Sequence, residues 1–129
     1  MFSTKKMGVG LTAPFVYLPG TAGETITAGE AMVLSGGKLT KCGATAKAAY
    51  IALGPADGNG EVPCAEVQPY MEFQTTLSTA PAEGVTLVPG DKVTLSADAL
   101  QVTATKASGV ATIKRIDGQT VDSVVIVSF

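Results

Sequence analysis

The chain contains no histidine. Ser-His-Asp and Cys-His nucleophile systems, histidine-ligated metals and histidine general bases are therefore all excluded. The residues left that could do chemistry are few: Cys42 and Cys64, the acids Glu24, Glu30, Glu83 and Asp91, the loop Asp57-Gly58-Asn59-Gly60 with Glu61 next, and the basic doublets Lys5-Lys6 and Lys114-Arg115. Two carboxylates held together could run acid–base catalysis. Each acid here, however, stands beside turn residues, where a carboxylate is solvated or accepts from local backbone donors. The Asp57 loop is similar to the start of a calcium loop but lacks its spaced acids, so an ordinary turn is expected. Two cysteines are too few for a zinc site. With no neighbouring cation to hold a thiolate they read as buried, inert thiols, and a disulfide between them stays open. No phosphate loop or dinucleotide turn is present. The basic doublets form no stripe interleaved with aromatics, which gives no nucleic-acid surface. These readings predict no catalytic residue, cofactor, metal or small-molecule substrate.

Whatever the chain does must rest on how its elements are placed. At 129 residues it is one ordinary domain able to bury a sizeable core, about two thirds of its unfolded surface. Aromatics make up only 5% and Trp is absent, so the core must come from Val, Leu, Ile, Ala and Met. Fifteen Gly and seven Pro among β-branched residues favour many short strands and tight turns over long helices. The net charge of −2 offers no general attraction to nucleic acid or anionic membranes. No window is long enough to span a membrane, and "MFSTKKMGVG" has no apolar run of the secretory type, so manufacture and use without export are expected.

Residues 1–12 lack periodicity and read as a flexible, extended arm without a core of its own, ahead of a single β-domain over 13–129. Phe15–Leu18 is a short β-type run closed by Pro19-Gly20. Met32 and Leu34 alternate with polar or smaller residues, Gly36-Gly37 fits a two-residue hairpin, and Lys38–Cys42 is the return strand. Strands follow at Ala49–Leu53 and Val62–Val67, the latter placed at a sheet edge by Pro63. Met71, Phe73, Thr75 and Leu77 form the clearest half-buried strand. Alternation resumes at Val93–Leu95 and Leu100–Ala104, then at Val110–Ile116, with a hairpin signal at Asp117-Gly118 and a terminal apolar strand over Val121–Phe129.

"TITAGEAMVLSGGKL", from Thr25, and "TLVPGDKVTLSADAL", from Thr86, align sixty-one residues apart without a gap. Gly29 meets Gly90, Glu30 meets Asp91, Leu34 meets Leu95, Leu39 meets Leu100 and Ala46 meets Ala107. Ala97-Asp98 replaces Gly36-Gly37, and because Ala tolerates positive φ poorly, that turn should differ in type or be a residue longer. The expected fold is all-β, a compact β-sandwich or small β-barrel with an internally duplicated β-unit, about residues 25–67 and 86–128, and an extended N-terminal arm.

A β-domain without chemistry reads as a structural or binding module whose free strand edges need pairing or cover. The strands Met71–Leu77 and Val121–Phe129 are the expected subunit contacts, through Met71, Phe73, Val127 and Phe129. Lys5, Lys6, Phe15 and Tyr17 are the expected partner contacts. Phe15 and Leu18 completing the domain's own core is the competing reading; the Tyr17 hydroxyl suits an interface better.

The run "FVYLPGTAGETITAGEAMVLSGGKLTKCGATAKAAYIALG", Phe15 to Gly54, with "GDKVTLSADALQVTAT", Gly90 to Thr105, resembles small capsid-associated proteins of tailed bacteriophages. The resemblance implies a head decoration, or cement, protein. It would be β-rich, made in the host cytoplasm, and bound to the major capsid protein on the outside of the expanded shell. Such proteins often stand as trimers at three-fold points, with an N-terminal segment that orders on the capsid. Other virion parts compete with this reading: a tail tube, a head-fibre base or a head completion protein. "VPGDKVTL" also resembles the turn of biotinyl and lipoyl carrier domains, but Lys38, in the pseudo-equivalent hairpin, lacks their flanking Met or Asp.

Overall fold

The computed structural model describes residues 1–6 and 15–129. Among them ten strands lie in chain order: β1 (Ser3–Lys6), β2 (Phe15–Pro19), β3 (Ala31–Ser35), β4 (Lys38–Lys41), β5 (Tyr50–Ala52), β6 (Glu61–Glu66), β7 (Glu72–Thr76), β8 (Lys92–Val93), β9 (Ala111–Ile116) and β10 (Val124–Ser128). They form two five-stranded antiparallel sheets, ordered β2-β6-β5-β3-β4 and β1-β7-β10-β9-β8. The expectation of an all-β fold therefore holds.

Alternation along the strands divides the apolar residues between two cores. In the first sheet Ala31 pairs with Ile51 and Ile51 with Ala65, while Met32 pairs with Tyr50 and Ala52 with Cys64. One face thus contributes Ala31 and Ile51 to a large core shared with Phe73, Leu77, Val93, Leu95, Val102, Ile113, Val125 and Val127 of the other half. The opposite face collects Ile26, Met32, Leu39, Ala52, Val62 and Cys64 into a second cluster. The first sheet curls around that cluster: Gly20 forms a parallel bridge to Leu39, and Thr21 donates its N–H to the Leu39 carbonyl at 2.9 Å. Leu77 and Val102 make the corresponding parallel bridge in the other half.

Backbone hydrogen bonds recur between the halves at the same sixty-one-residue spacing. Gly29 N–H donates to Ala52 O at 2.7 Å and Gly90 N–H to Ile113 O at 2.8 Å. Ala49 N–H donates to Met32 O and Val110 N–H to Val93 O, both at 3.0 Å. Gly29 and Gly90 both take positive φ, 82° and 96°, as the third residue of a tight turn demands.

The spacing breaks at the hairpin tips. Ser35 pairs with Lys38 across Gly36 (φ 58°) and Gly37 (φ 79°), the two-residue turn expected. In the second half Ser96 N–H reaches Gln101 O at 2.9 Å, so the loop is four residues, 97–100, and Ala99 takes φ 57°. The loop is two residues longer than its counterpart, so Val102, not Leu100, occupies the place of Leu39. The long tip does not hang free: Ala99 is buried and its carbonyl accepts the Ala31 N–H at 2.8 Å, tying the halves together.

Four expectations need correction. Residues 1–6 are not a free arm: Phe2 is buried against Phe129, with ring centroids 5.5 Å apart, and Ser3–Lys6 pairs with β7. A polar segment without apolar alternation becomes a strand here because one aromatic side chain pins its start. Residues 7–12, the remainder of the expected arm, lie outside the described residues. Met71–Leu77 and Val121–Phe129 are not edges, since β7 lies between β1 and β10, and β10 between β7 and β9. Pro63 does not mark an edge either, because β6 lies between β2 and β5. Its carbonyl accepts the Leu53 N–H at 2.8 Å just past the end of β5, so its missing donor falls where no ladder bond is required. Finally, Asp117-Gly118 does not close a tight hairpin; a loop over 117–123 joins β9 to β10, with Asp117 N–H donating to Val124 O at 3.0 Å.

Candidate interaction surfaces

The acids singled out for possible catalysis are spread among turns and bound locally. Glu24 accepts from Thr40 Oγ1 at 2.7 Å and from Lys41 N–H at 2.6 Å, stitching a turn to β4. Glu30 accepts from Thr27 N–H at 3.0 Å, and Asp91 from Val88 N–H at 3.0 Å. Glu83 is exposed. Asp57 accepts the N–H groups of Asn59 and Glu61, the local pattern of an ordinary turn. Among the described residues no group of three or more Cys, Asp or Glu is arranged to hold a metal ion. No helix among them is long and apolar enough to cross a membrane. Cys42 and Cys64 are free and buried, and burial pushes their thiols up to about 12 and about 11.

The expected subunit contacts divide sharply from the expected partner contacts. Met71, Phe73 and Val127 have no exposed surface, and they fill the shared core rather than an interface. Phe129 is half-buried, in edge-on contact with Phe2 and 5.8 Å from the Phe73 ring. Met71, Phe73 and Val127 therefore offer no surface to another subunit, whereas Phe129 stays partly exposed just past the end of β10.

Phe15 and Tyr17 stand the other way. On β2, Val16 and Leu18 turn in to the second cluster, so the alternate residues must turn out. Phe15 is 51% and Tyr17 54% exposed, and their rings meet edge to face at 5.3 Å and 88°. Tyr17 pairs with Pro63, and the exposed Leu53 is bonded to Pro63 from the far side. The result is an apolar ridge on a strand whose outer edge no described strand pairs. The reading in which Phe15 completes the domain's core does not stand; Leu18 does pack inward.

Lys5 faces solvent on the other sheet. It lines a cavity of 170 Å³ with Gln74, Arg115, Asp117, Val124 and Ile126. Arg115, whose Nε donates to Asp117 Oδ1 at 3.3 Å, thereby joins Lys5 although 110 residues separate them. Lys6 is in register with Glu72. The meeting of Lys5 with Arg115 at one cavity does not follow from the sequence reading. The usable signal was that the two basic doublets are the chain's only adjacent cations; what hid it is that their strands meet only through β7 and β10. Compared with protein-family models, curated proteins and solved structures, the chain matches none.

Proposed function

We propose that this chain is a structural virion protein, a decoration protein that binds the outer surface of a tailed-phage capsid and acts without catalysis. The observation that carries the reading is the Phe15–Tyr17 ridge. Two large rings left half in solvent, in edge-to-face contact with each other on an edge that no described strand pairs, with the exposed Leu53 nearby, suit a protein-contact surface. The body is a β-unit used twice, which the recurring hydrogen bonds at one spacing support. A duplicated, cross-tied body is stiff, and stiffness suits a clamp across neighbouring capsid subunits. Such a clamp binds the assembled shell and not its separated parts, so it stabilises the shell by mass action. As a trimer at three-fold points it would gain further through effective concentration. The major capsid protein is the partner, and the capsid surface the location after synthesis in the host cytoplasm.

The test is co-sedimentation of the purified protein with expanded shells that lack it, counting bound copies, alongside a Phe15→Ser/Tyr17→Ser variant. Saturable binding at three copies per three-fold point, lost in the variant, is the expected result. Absence of binding by the native protein, with rings or tubes formed instead, would move it to the tail or the portal end.

A further inference from the structure

Four of the nine cations in this acidic chain belong to the doublets Lys5-Lys6 and Lys114-Arg115, and the sheet order β1-β7-β10-β9 carries both doublets on one sheet. Ser3, Gln74, Ile126 and Arg115 stand in a single row across its four strands. Each doublet also sits at a break in register. Thr4 is opposite Phe73 and Lys6 opposite Glu72, which leaves Lys5 as the extra residue of β1. Ile126 is opposite Arg115 and Val127 opposite Ile113, which leaves Lys114 as the extra residue of β9. Bulges re-aim side chains and bend the strand that bears them. In β9 the consequence is visible: Lys114 and Arg115 are consecutive and both exposed, where strict alternation would turn one of them inward. The cavity lined by Lys5 and Arg115 has Gln74, Val124 and Ile126 in its lining too, with Asp117 beside the guanidinium.

We propose that this face binds the carboxylates of an acidic protein segment, one carboxylate seated between Lys5 and Arg115 with the Gln74 amide as a further donor. A planar guanidinium and an ammonium lining one cavity suit a carboxylate, and the Asp117 pair at 3.3 Å engages the guanidinium's Nε, leaving its other donors free of that contact. The cavity of 170 Å³ takes a carboxylate, and no aromatic among the described residues lines it to stack a base. An acidic protein stretch, whose carboxylates need only the two cations and no stacking surface, is then the fitting partner. The site rests on the decoration reading only for the identity of that partner, the capsid protein.

The test is an NMR titration of the full ¹⁵N-labelled chain at low salt with an oligoglutamate peptide. Inorganic phosphate, an oligolysine peptide and a single-stranded oligonucleotide serve as comparators, with Lys5→Ala, Arg115→Ala and the double variant alongside. Saturable shifts confined to the surroundings of Lys5, Gln74, Arg115 and Ile126 are expected. Affinity should fall about tenfold in each single variant and further with added salt. Shifts spread equally over Lys38, Lys41 and Lys47 would overturn the site, as would phosphate binding as tightly as the peptide, or tighter binding of the oligonucleotide. Peptide binding by a protein that ignores shells would keep the site and remove the capsid. Shell binding undiminished in the double variant would keep the capsid and remove the site.

Discussion

Glu30 and Asp91, sixty-one residues apart, hold the same turn by the same pair of bonds. Each donates its N–H to the carbonyl three residues back, Thr27 or Val88, at 3.1 Å, and each accepts that residue's N–H on its carboxylate at 3.0 Å. Their surroundings differ. Asp91 is half-buried and lies 3.8 Å from Lys106, while Glu30 is only 3% exposed and its Oε1 has no hydrogen-bond partner among the described residues.

That difference gives a pH dependence of known sign. Burial raises the Glu30 carboxyl above the usual range, opposed by the Thr27 hydrogen bond and Lys41. The folded state therefore holds this proton more tightly than the unfolded chain. The contribution of Glu30 is most favourable below its unfolded value and declines as the pH rises through its folded one. Glu30→Gln keeps the acceptor for Thr27 and removes the buried charge. Urea denaturation should find it more stable than the native protein by about 1 kcal/mol at neutral pH, with the gain vanishing under acid conditions. A loss of stability at neutral pH would show that the charge is compensated.

Gly109 allows no side chain. A Cβ there would lie 2.5 Å from Lys92 O and 2.7 Å from Val93 N, both rigid ladder atoms. Gly109→Ala should destabilise by about 3 kcal/mol or more in denaturation experiments, whereas Gly43→Ala, with open space around it and no positive φ, should stay within about 0.5 kcal/mol.

Phe15 and Phe73 share a residue type and should behave oppositely. Phe15→Ser should change stability by less than about 0.5 kcal/mol yet abolish shell binding, while Phe73→Ala should cost about 3–5 kcal/mol through a cavity in the shared core. Thermal unfolding and co-sedimentation of both variants distinguish the roles.

The thiols should be silent in the folded protein. Desolvation is the main cause of both upward shifts, with Glu30 adding to that of Cys42 and Glu66 to that of Cys64. An aromatic disulfide reagent at mildly alkaline pH should titrate neither thiol in native protein and both in urea. Rapid labelling of Cys64 alone would indicate that the β2–β6 pair opens readily.

Local chemistry was legible and sheet order was not. The Gly36-Gly37 turn, the repeat of Gly29-Glu30 at Gly90-Asp91 and the alternation at Met71–Leu77 follow from conformational preference within a few residues, and the structure carries all three. The position of a strand within its sheet is a pairing between distant segments, so Met71–Leu77 looked the same whether central or at an edge. Apolar alternation also could not reveal β1, whose four residues are polar and whose place is fixed by Phe2. Of the candidate surface, Phe15 and Tyr17 were legible from the β-type run they share with Val16 and Leu18. Arg115 was not, because only the sheet brings it to Lys5.

The strand margins bear on crowding. β8 is two residues long, β1 is bulged and carries lysines, and β4 carries Lys38 and Lys41 and is capped at Leu39 by Thr21. Short, charged or kinked margins resist adding a stranger's strand. The margin of β2 is the exception, and it bears the exposed rings. Many copies could therefore accumulate in a small volume without polymerising through these three margins, while that of β2 has no such guard among the described residues.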